Sequence, residues 1–231
     1  MIYFDHNATT PIDARVVEVM LPYINEFYGN PSGLYRAGRM ARSAINTARE
    51  QLATLIGSPS AEIIFTSGGT EANNLALRAV ADNSKIAVSA IEHPSIIEPA
   101  SNFQSLSVIP VSNQGQLICN KREKLDLVSV MFANNENGAI QDIKQLKAGV
   151  RAEMSLIHTD AVQALGKIPV DFDDLGVDLM SLSSHKIYGP KGCGALVSNQ
   201  ASLMQAIMTG GGQEQGLRSG TENVAAIVGF G

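Results

Sequence analysis

From Arg36 to Ile56 apolar residues return at spacings of three and four, through Met40, Ala41, Ala44, Ile45, Ala48, Leu52 and Ile56. That period puts them on one side of a helix, and Gly57-Ser58-Pro59 stops it. Beyond this point the pattern changes to short apolar runs separated by turn signals and further helical stretches. It predicts strands over 62–66, 85–89, 106–111, 127–132, 156–159, 177–183 and 194–198. Helices are predicted over 70–81, after Pro94, over 141–153 and from about Glu222. Strands alternating with helices point to an α/β protein with a mostly parallel sheet. With no internal repeat, low-complexity tract or linker, residues 13–231 read as one domain and residues 1–12 as an N-terminal arm.

Composition narrows the function. The chain has 231 residues, of which 45% are hydrophobic, enough for a large core. Seventeen basic residues against 22 acidic ones give a formal charge of −5 with no basic tract, which argues against a nucleic-acid partner. Neither a signal-peptide pattern nor a membrane-spanning apolar run is visible, so a cytoplasmic protein is expected. Cys119 and Cys193 stand in unrelated contexts, without CxxC spacing or clustered histidines, and read as reduced thiols rather than zinc ligands.

In open α/β sheets ligands gather beyond the carboxyl ends of the strands. Reading off those ends yields Ser67-Gly68-Gly69-Thr70, Glu92-His93, Asn134-Asn135, His158-Thr159-Asp160 with Gln163, and Ser183-Ser184-His185-Lys186. A glycine loop entering a helix suits a phosphate. An acid such as Asp160 can hold a protonated ring nitrogen, His93 can stack on a flat ring, and Lys186 can condense with an aldehyde. Singly, each has an ordinary explanation: a turn, a helix cap, a satisfied polar group, a surface lysine. Jointly, they fit one molecule, pyridoxal 5′-phosphate.

The chain resembles the cysteine desulfurases, within the class V aminotransferase group of pyridoxal-phosphate enzymes of fold type I. The motifs run from Asp5-His6-Asn7-Ala8-Thr9-Thr10 and Gly29-Asn30-Pro31-Ser32 to Gly210-Gly211-Gly212-Gln213-Glu214 and Arg218-Ser219-Gly220-Thr221, with the strand-end motifs between. The resemblance implies that Lys186 is the Schiff-base lysine and proton shuttle, Asp160 the partner of the pyridine nitrogen, and His93 the stacking acid/base. It assigns Asn135 and Gln163 to the ring hydroxyl side, and Gly69, Thr70, Ser183 and His185 to the phosphate. Thr221 would reach a second subunit's site, which implies a homodimer. The expected substrate is L-cysteine. A proton leaves its α-carbon and an enzyme thiolate takes its sulfur, giving a persulfide and alanine. The sulfur would pass to acceptor or scaffold proteins, for iron–sulfur clusters or other products.

The chain also departs from that family. The nucleophilic cysteine and the substrate-carboxylate arginine lie far beyond the lysine in relatives. The expectation is therefore a large domain without its small C-terminal partner, inactive as a lone chain. Cys193 stands where relatives carry an apolar residue, and Cys119 reads as a small buried hydrophobe. Tyr35, Gln215 and Asn137 also depart from the family pattern, on the substrate side more than the cofactor side. Two other readings stay open: a selenocysteine lyase or aminotransferase of the same fold, and a non-catalytic scaffold.

Overall fold

The computed structural model describes residues 2–59, 62–118, 124–150 and 155–231. Its strands are β1 (Ile63–Thr66), β2 (Lys85–Ser89), β3 (Ser105–Ile109), β4 (Leu127–Ser129), β5 (Leu156–Asp160), β6 (Leu179–Ser183) and β7 (Gly194–Ser198). They form one sheet in the order β1-β7-β6-β5-β4-β2-β3. The pairs from β3 through β2, β4 and β5 to β6 are parallel. β7 alone runs against its neighbours, β1 and β6. The mostly parallel α/β sheet expected from the strand–helix alternation is present.

The helices are α1 (Ala14–Asn25), α2 (Arg36–Ile56), α3 (Gly69–Leu77), α4 (Pro94–Ala100), α5 (Ile143–Val150), α6 (Phe172–Leu175) and α7 (Val224–Phe230). Successive strand residues pack into two different clusters. Ile63, Phe65, Ala87, Val128, Ala195 and Val197 join the side chains of α2 and α7. Ile64, Ile86, Val88, Leu127 and Leu196 join those of α3 and α4. This is the two-residue alternation of a sheet covered on both faces.

Several boundaries differ from expectation, each for a local reason. The 36–56 helix has the expected bounds, closed by Gly57 in the left-handed conformation at φ 60°. The strand expected over 127–132 is assigned only as Leu127–Ser129, although the Val130 and Phe132 amides still bond to β5 carbonyls. β6 begins at Leu179 because the Asp178 side chain, not a strand carbonyl, takes the Ile157 amide at 2.9 Å. α3 ends at Leu77, where the Arg78 amide folds back onto Leu75 and Ala76. α5 starts at Ile143, one residue after Asp142, whose carboxylate caps the Gln145 amide; the predicted continuation over 151–153 lies outside the described residues. α1 was not expected at all. Its apolar positions bury no residue, and Pro22 interrupts it.

The carboxyl-terminal half of α2 is fastened to the sheet by charge. The Arg49 guanidinium holds both carboxylate oxygens of Glu214, at 3.0 and 2.6 Å, and lies 4.7 Å from the Phe65 ring centroid. Glu214, only 4% exposed at its side chain, also accepts the Phe65 amide at 2.7 Å. Arg49→Met would strand a buried carboxylate and should cost about 3–5 kcal/mol. Adding Glu214→Gln, which keeps the acceptor for Phe65 but removes the charge, should recover part of that loss. Urea midpoints of the single and double variants test this, and a double variant weaker than the single one would refute it.

Candidate active site

Nine of the ten cofactor residues named from the sequence line one cleft of about 660 Å³, at the carboxyl ends of β1, β2, β5 and β6. They are Gly69, Thr70, His93, Asn135, Asp160, Gln163, Ser183, His185 and Lys186. Thr221 is exposed and does not line it.

One wall is the start of α3. Gly68 takes φ 152°, a conformation that favours glycine, and a Cβ on Gly69 would lie 2.9 Å from Val162 Cγ2, so the chain passes close to the β5 loop because Gly69 lacks a side chain. The loop is braced from behind: Glu71 accepts the Ser67 amide at 2.9 Å and pairs with Arg218 Nε at 2.8 Å. Burial pulls the Glu71 carboxyl up, but Arg218 and Ser67 outweigh it and hold the group below the usual carboxylate range.

The floor is Asp160, 5% exposed at the end of β5. Its carboxylate accepts the Asn73 amide and the Val162 backbone N–H, at 2.8 and 2.9 Å. Burial nonetheless raises its pKa, with those two bonds and the nearby His93 and Lys186 acting the other way. Asn73 was not singled out from sequence. Its second N–H reaches Ser95 Oγ at 2.8 Å, and Ser95 Oγ lies 2.7 Å from His93 Nδ1. His93 is the N-cap of α4, its Nδ1 accepting the Ser95 backbone N–H at 3.1 Å. That acceptor role at Nδ1 leaves Nε2 to carry the proton of a neutral ring. Asn73 stands three residues after Thr70, on the face of α3 that Thr70 shares, and that spacing was the available signal for it.

Behind His93, Glu92 ties β2 to β4, accepting the Ser89 hydroxyl and the Met131 amide on one oxygen. The other oxygen is buried without a partner. Burial pushes this carboxyl up to about 8. His158, two residues before Asp160, lies wholly buried between Ser129 and Ser181 hydroxyls at 2.9 Å each, and burial holds it neutral, down to about 3.

The roof is the N-terminal arm. Lys186 Nζ donates to the backbone carbonyls of Asn7 and, at 2.9 Å, Ala8. Gln163 Nε2 donates to the Asn7 carbonyl at 2.9 Å, and Asn7 Nδ2 reaches the Asn135 carbonyl at 3.1 Å. The Asn135 amide itself bonds to Glu136 at 2.8 Å. Thr9 Oγ1 meets His185 Nδ1 at 3.1 Å, and Thr10 accepts the Tyr188 amide at 2.8 Å, where Tyr188 turns back at φ 66°. Burial, then Lys167, lowers the Lys186 pKa against the pull of Asp160 and Asp5; burial and Lys186 lower that of His185. These bonds were not legible in the sequence, because they join residues 128 to 179 positions apart.

Cys193 is 1% exposed, and burial pushes its thiol up to about 12, the opposite of an activated nucleophile. Cys119 lies outside the described residues. Among the described residues no group of side chains suits a metal ion, and no helix is long and apolar enough to cross a membrane.

Residues 2–231 match the family model described as aminotransferase class-V. The chain belongs to that family. It is 47% identical to cysteine desulfurase IscS 1 of Archaeoglobus fulgidus over the whole of this chain and 64% of that protein. A solved NifS-like protein superposes with a TM-score of 0.95 at 38% identity, covering 99% of this chain and 67% of that one. A structure titled SspA in complex with cysteine superposes at 0.94 with 34% identity, covering 100% and 71%. The chain thus spans a little under two thirds of the length of the curated relative it matches.

The pH dependence of stability follows from Glu92. Folded Glu92 holds its proton up to about pH 8, whereas an unfolded glutamate releases it near 4.5. Between those values the folded state binds more protons, so stability falls as pH rises, by roughly 1.4 kcal/mol per unit. His158 acts oppositely below about pH 6.5, losing stability as pH falls toward 3. Chemical denaturation at pH 5, 6.5 and 8 should show a flatter alkaline limb in Glu92→Gln than in the unaltered chain. Equal slopes would refute the assignment.

Proposed function

We propose that this chain is the cofactor-binding portion of a pyridoxal-phosphate-dependent cysteine desulfurase, acting on L-cysteine. The observation that carries the reading is the convergence of a lysine amine, a buried acid, a capped histidine and a helix N-terminus on one cleft. The cleft suits that cofactor on its own terms. Ser183 Oγ is buried there without a partner, a position for a phosphate oxygen. Asp160 is buried on two hydrogen bonds, and burial raises its pKa despite the pull of His93 and Lys186, a setting that a cationic ring nitrogen would suit.

Gly69, Thr70, Ser183 and His185 would hold the phosphate, with the positive end of α3 behind them. Asp160 would pair with the ring nitrogen, fixed by Asn73 and Val162. Asn135 and Gln163 would address the ring hydroxyl, and His93 would cover the ring face. When bound, the cofactor supplies an aldehyde carbon and an electron-withdrawing ring. Lys186 Nζ would be the covalent anchor and then the base that moves a proton at the substrate α-carbon. His93 would hold or deliver a proton from Nε2, while Ser95 and Asn73 keep Nδ1 occupied. Asn7 and Ala8, whose carbonyls hold Lys186, would shield the cleft from water.

Substrate choice rests on the desulfurase relative and on the cysteine-bound neighbour. Cys193 is given no part in sulfur transfer, since a buried, protonated thiol does not attack sulfur. A homodimer is included because Thr221 is exposed and outside its own cleft.

Incubation with pyridoxal 5′-phosphate should turn the chain yellow, and borohydride should fix one cofactor mass on the peptide containing Lys186. Lys186→Ala should abolish both. Labelling of another lysine, or no labelling, would overturn the reading.

A further inference from the structure

Lys186 is not the only ammonium at this cleft. Lys167 Nζ donates to Gln163 Oε1 and lies 3.5 Å from Asn7 Oδ1. Asn7 therefore carries Lys186 on its backbone carbonyl and Lys167 on its side-chain oxygen. Lys167 follows Gln163 by four residues in the turn that leaves β5, and its amide bonds to the Ala164 carbonyl at 3.0 Å. That turn is pressed against the lysine loop. Gly166 takes φ 73°, and a Cβ there would sit 2.8 Å from Ile187 Cγ2, the residue next to Lys186.

We propose that Lys167 is a positioning residue for this cleft: its ammonium, fixed on Gln163 and Asn7, disfavours a second positive charge on Lys186 Nζ and leaves that nitrogen free to attack an aldehyde. Two cations held by one residue repel, and the one more removed from water gives up its proton first. The released amine can then add to an aldehyde carbon, forming C–N as the carbonyl π electrons go to oxygen. Two protons follow from nitrogen to that oxygen, and water leaves.

The other charged or titratable groups around Lys186 do not replace Lys167. Asp5 from the arm and Asp160 from β5 favour the charged lysine. Glu136, from the loop after β4, lines the cleft with the same sign. His185 is held neutral by burial and by Lys186 itself, and His93 lines the cleft from the α4 cap, with Nδ1 accepting the Ser95 amide. Burial and Lys167 lower the Lys186 pKa. Among these neighbours Lys167 is the cation that shares Asn7 with Lys186, and burial lowers its own pKa as well.

This inference rests on the proposed use of Lys186, but its test does not require the cofactor. Trace acetylation of the unloaded chain with acetic anhydride across pH 7–10, read by mass spectrometry on the Lys186 peptide, measures how much free amine is present. Lys167→Met should slow Lys186 labelling at pH 8 by roughly five- to tenfold, and Lys167→Arg should restore it. An unchanged rate in Lys167→Met would overturn the proposal. So would equal slowing in both variants, which would mark Lys167 as only a prop for Gln163. If labelling behaves as expected but pyridoxal 5′-phosphate fixes nowhere on Lys186, the cofactor reading fails and the role of Lys167 stands.

Discussion

A carboxylate placed at the end of a central parallel strand, away from water, is the constraint on which this architecture turns. Asp160 is approached by the Asn73 amide, the Val162 N–H and, at longer range, two basic residues, and burial still raises its pKa. Isolated burial of such a charge costs several kcal/mol. Under the proposed function a cationic ring nitrogen at this position would offset that cost. The surrounding features follow: α3 must start close enough for Asn73 to reach β5, and Gly69 permits that approach.

A second layer of polar residues lies under this first one and is organised to stay uncharged. Glu92 and His158 are both buried next to the cleft, one keeping a proton and the other refusing one. Their bonds to Ser89, Ser129, Ser181 and the Met131 amide fasten β2, β4, β5 and β6 together at the level of the site. A neutral supporting layer leaves the electrostatics of the cleft to the charged groups at its walls, Asp5, Glu136, Asp160, Lys186 and Lys167 among them. Cys193, directly before β7, fits the same pattern: a polar group kept neutral by burial.

Much of this was legible in the residues themselves. Short apolar runs bounded by turn signals located the seven strands, which are buried on both faces, and the three-to-four period located the long helix, which buries one. The strand-end rule then collected Lys186, Asp160, His93 and the glycine loop without any contact being known. What stayed hidden depends on contacts between distant segments. Asn73, Ser95 and Lys167 are unremarkable in sequence and acquire meaning only when α3, α4 and the turn after β5 meet. α1 escaped notice for a different reason, since no residue of it is buried and its pattern had no core to report.

The hold that the arm keeps on Lys186 is made by main-chain oxygens of Asn7 and Ala8. Exchanging the Ala8 side chain leaves its oxygen in place, so that position can change without untying the lysine, whereas Asn7 also spends its side chain on the Asn135 carbonyl and on Lys167. Register is another matter: inserting or deleting one residue between Asn7 and Thr10 would slide the carbonyls past the amine while His185 and Tyr188 still gripped the threonines. At Ala8 the arm should therefore tolerate drift in identity far better than drift in length.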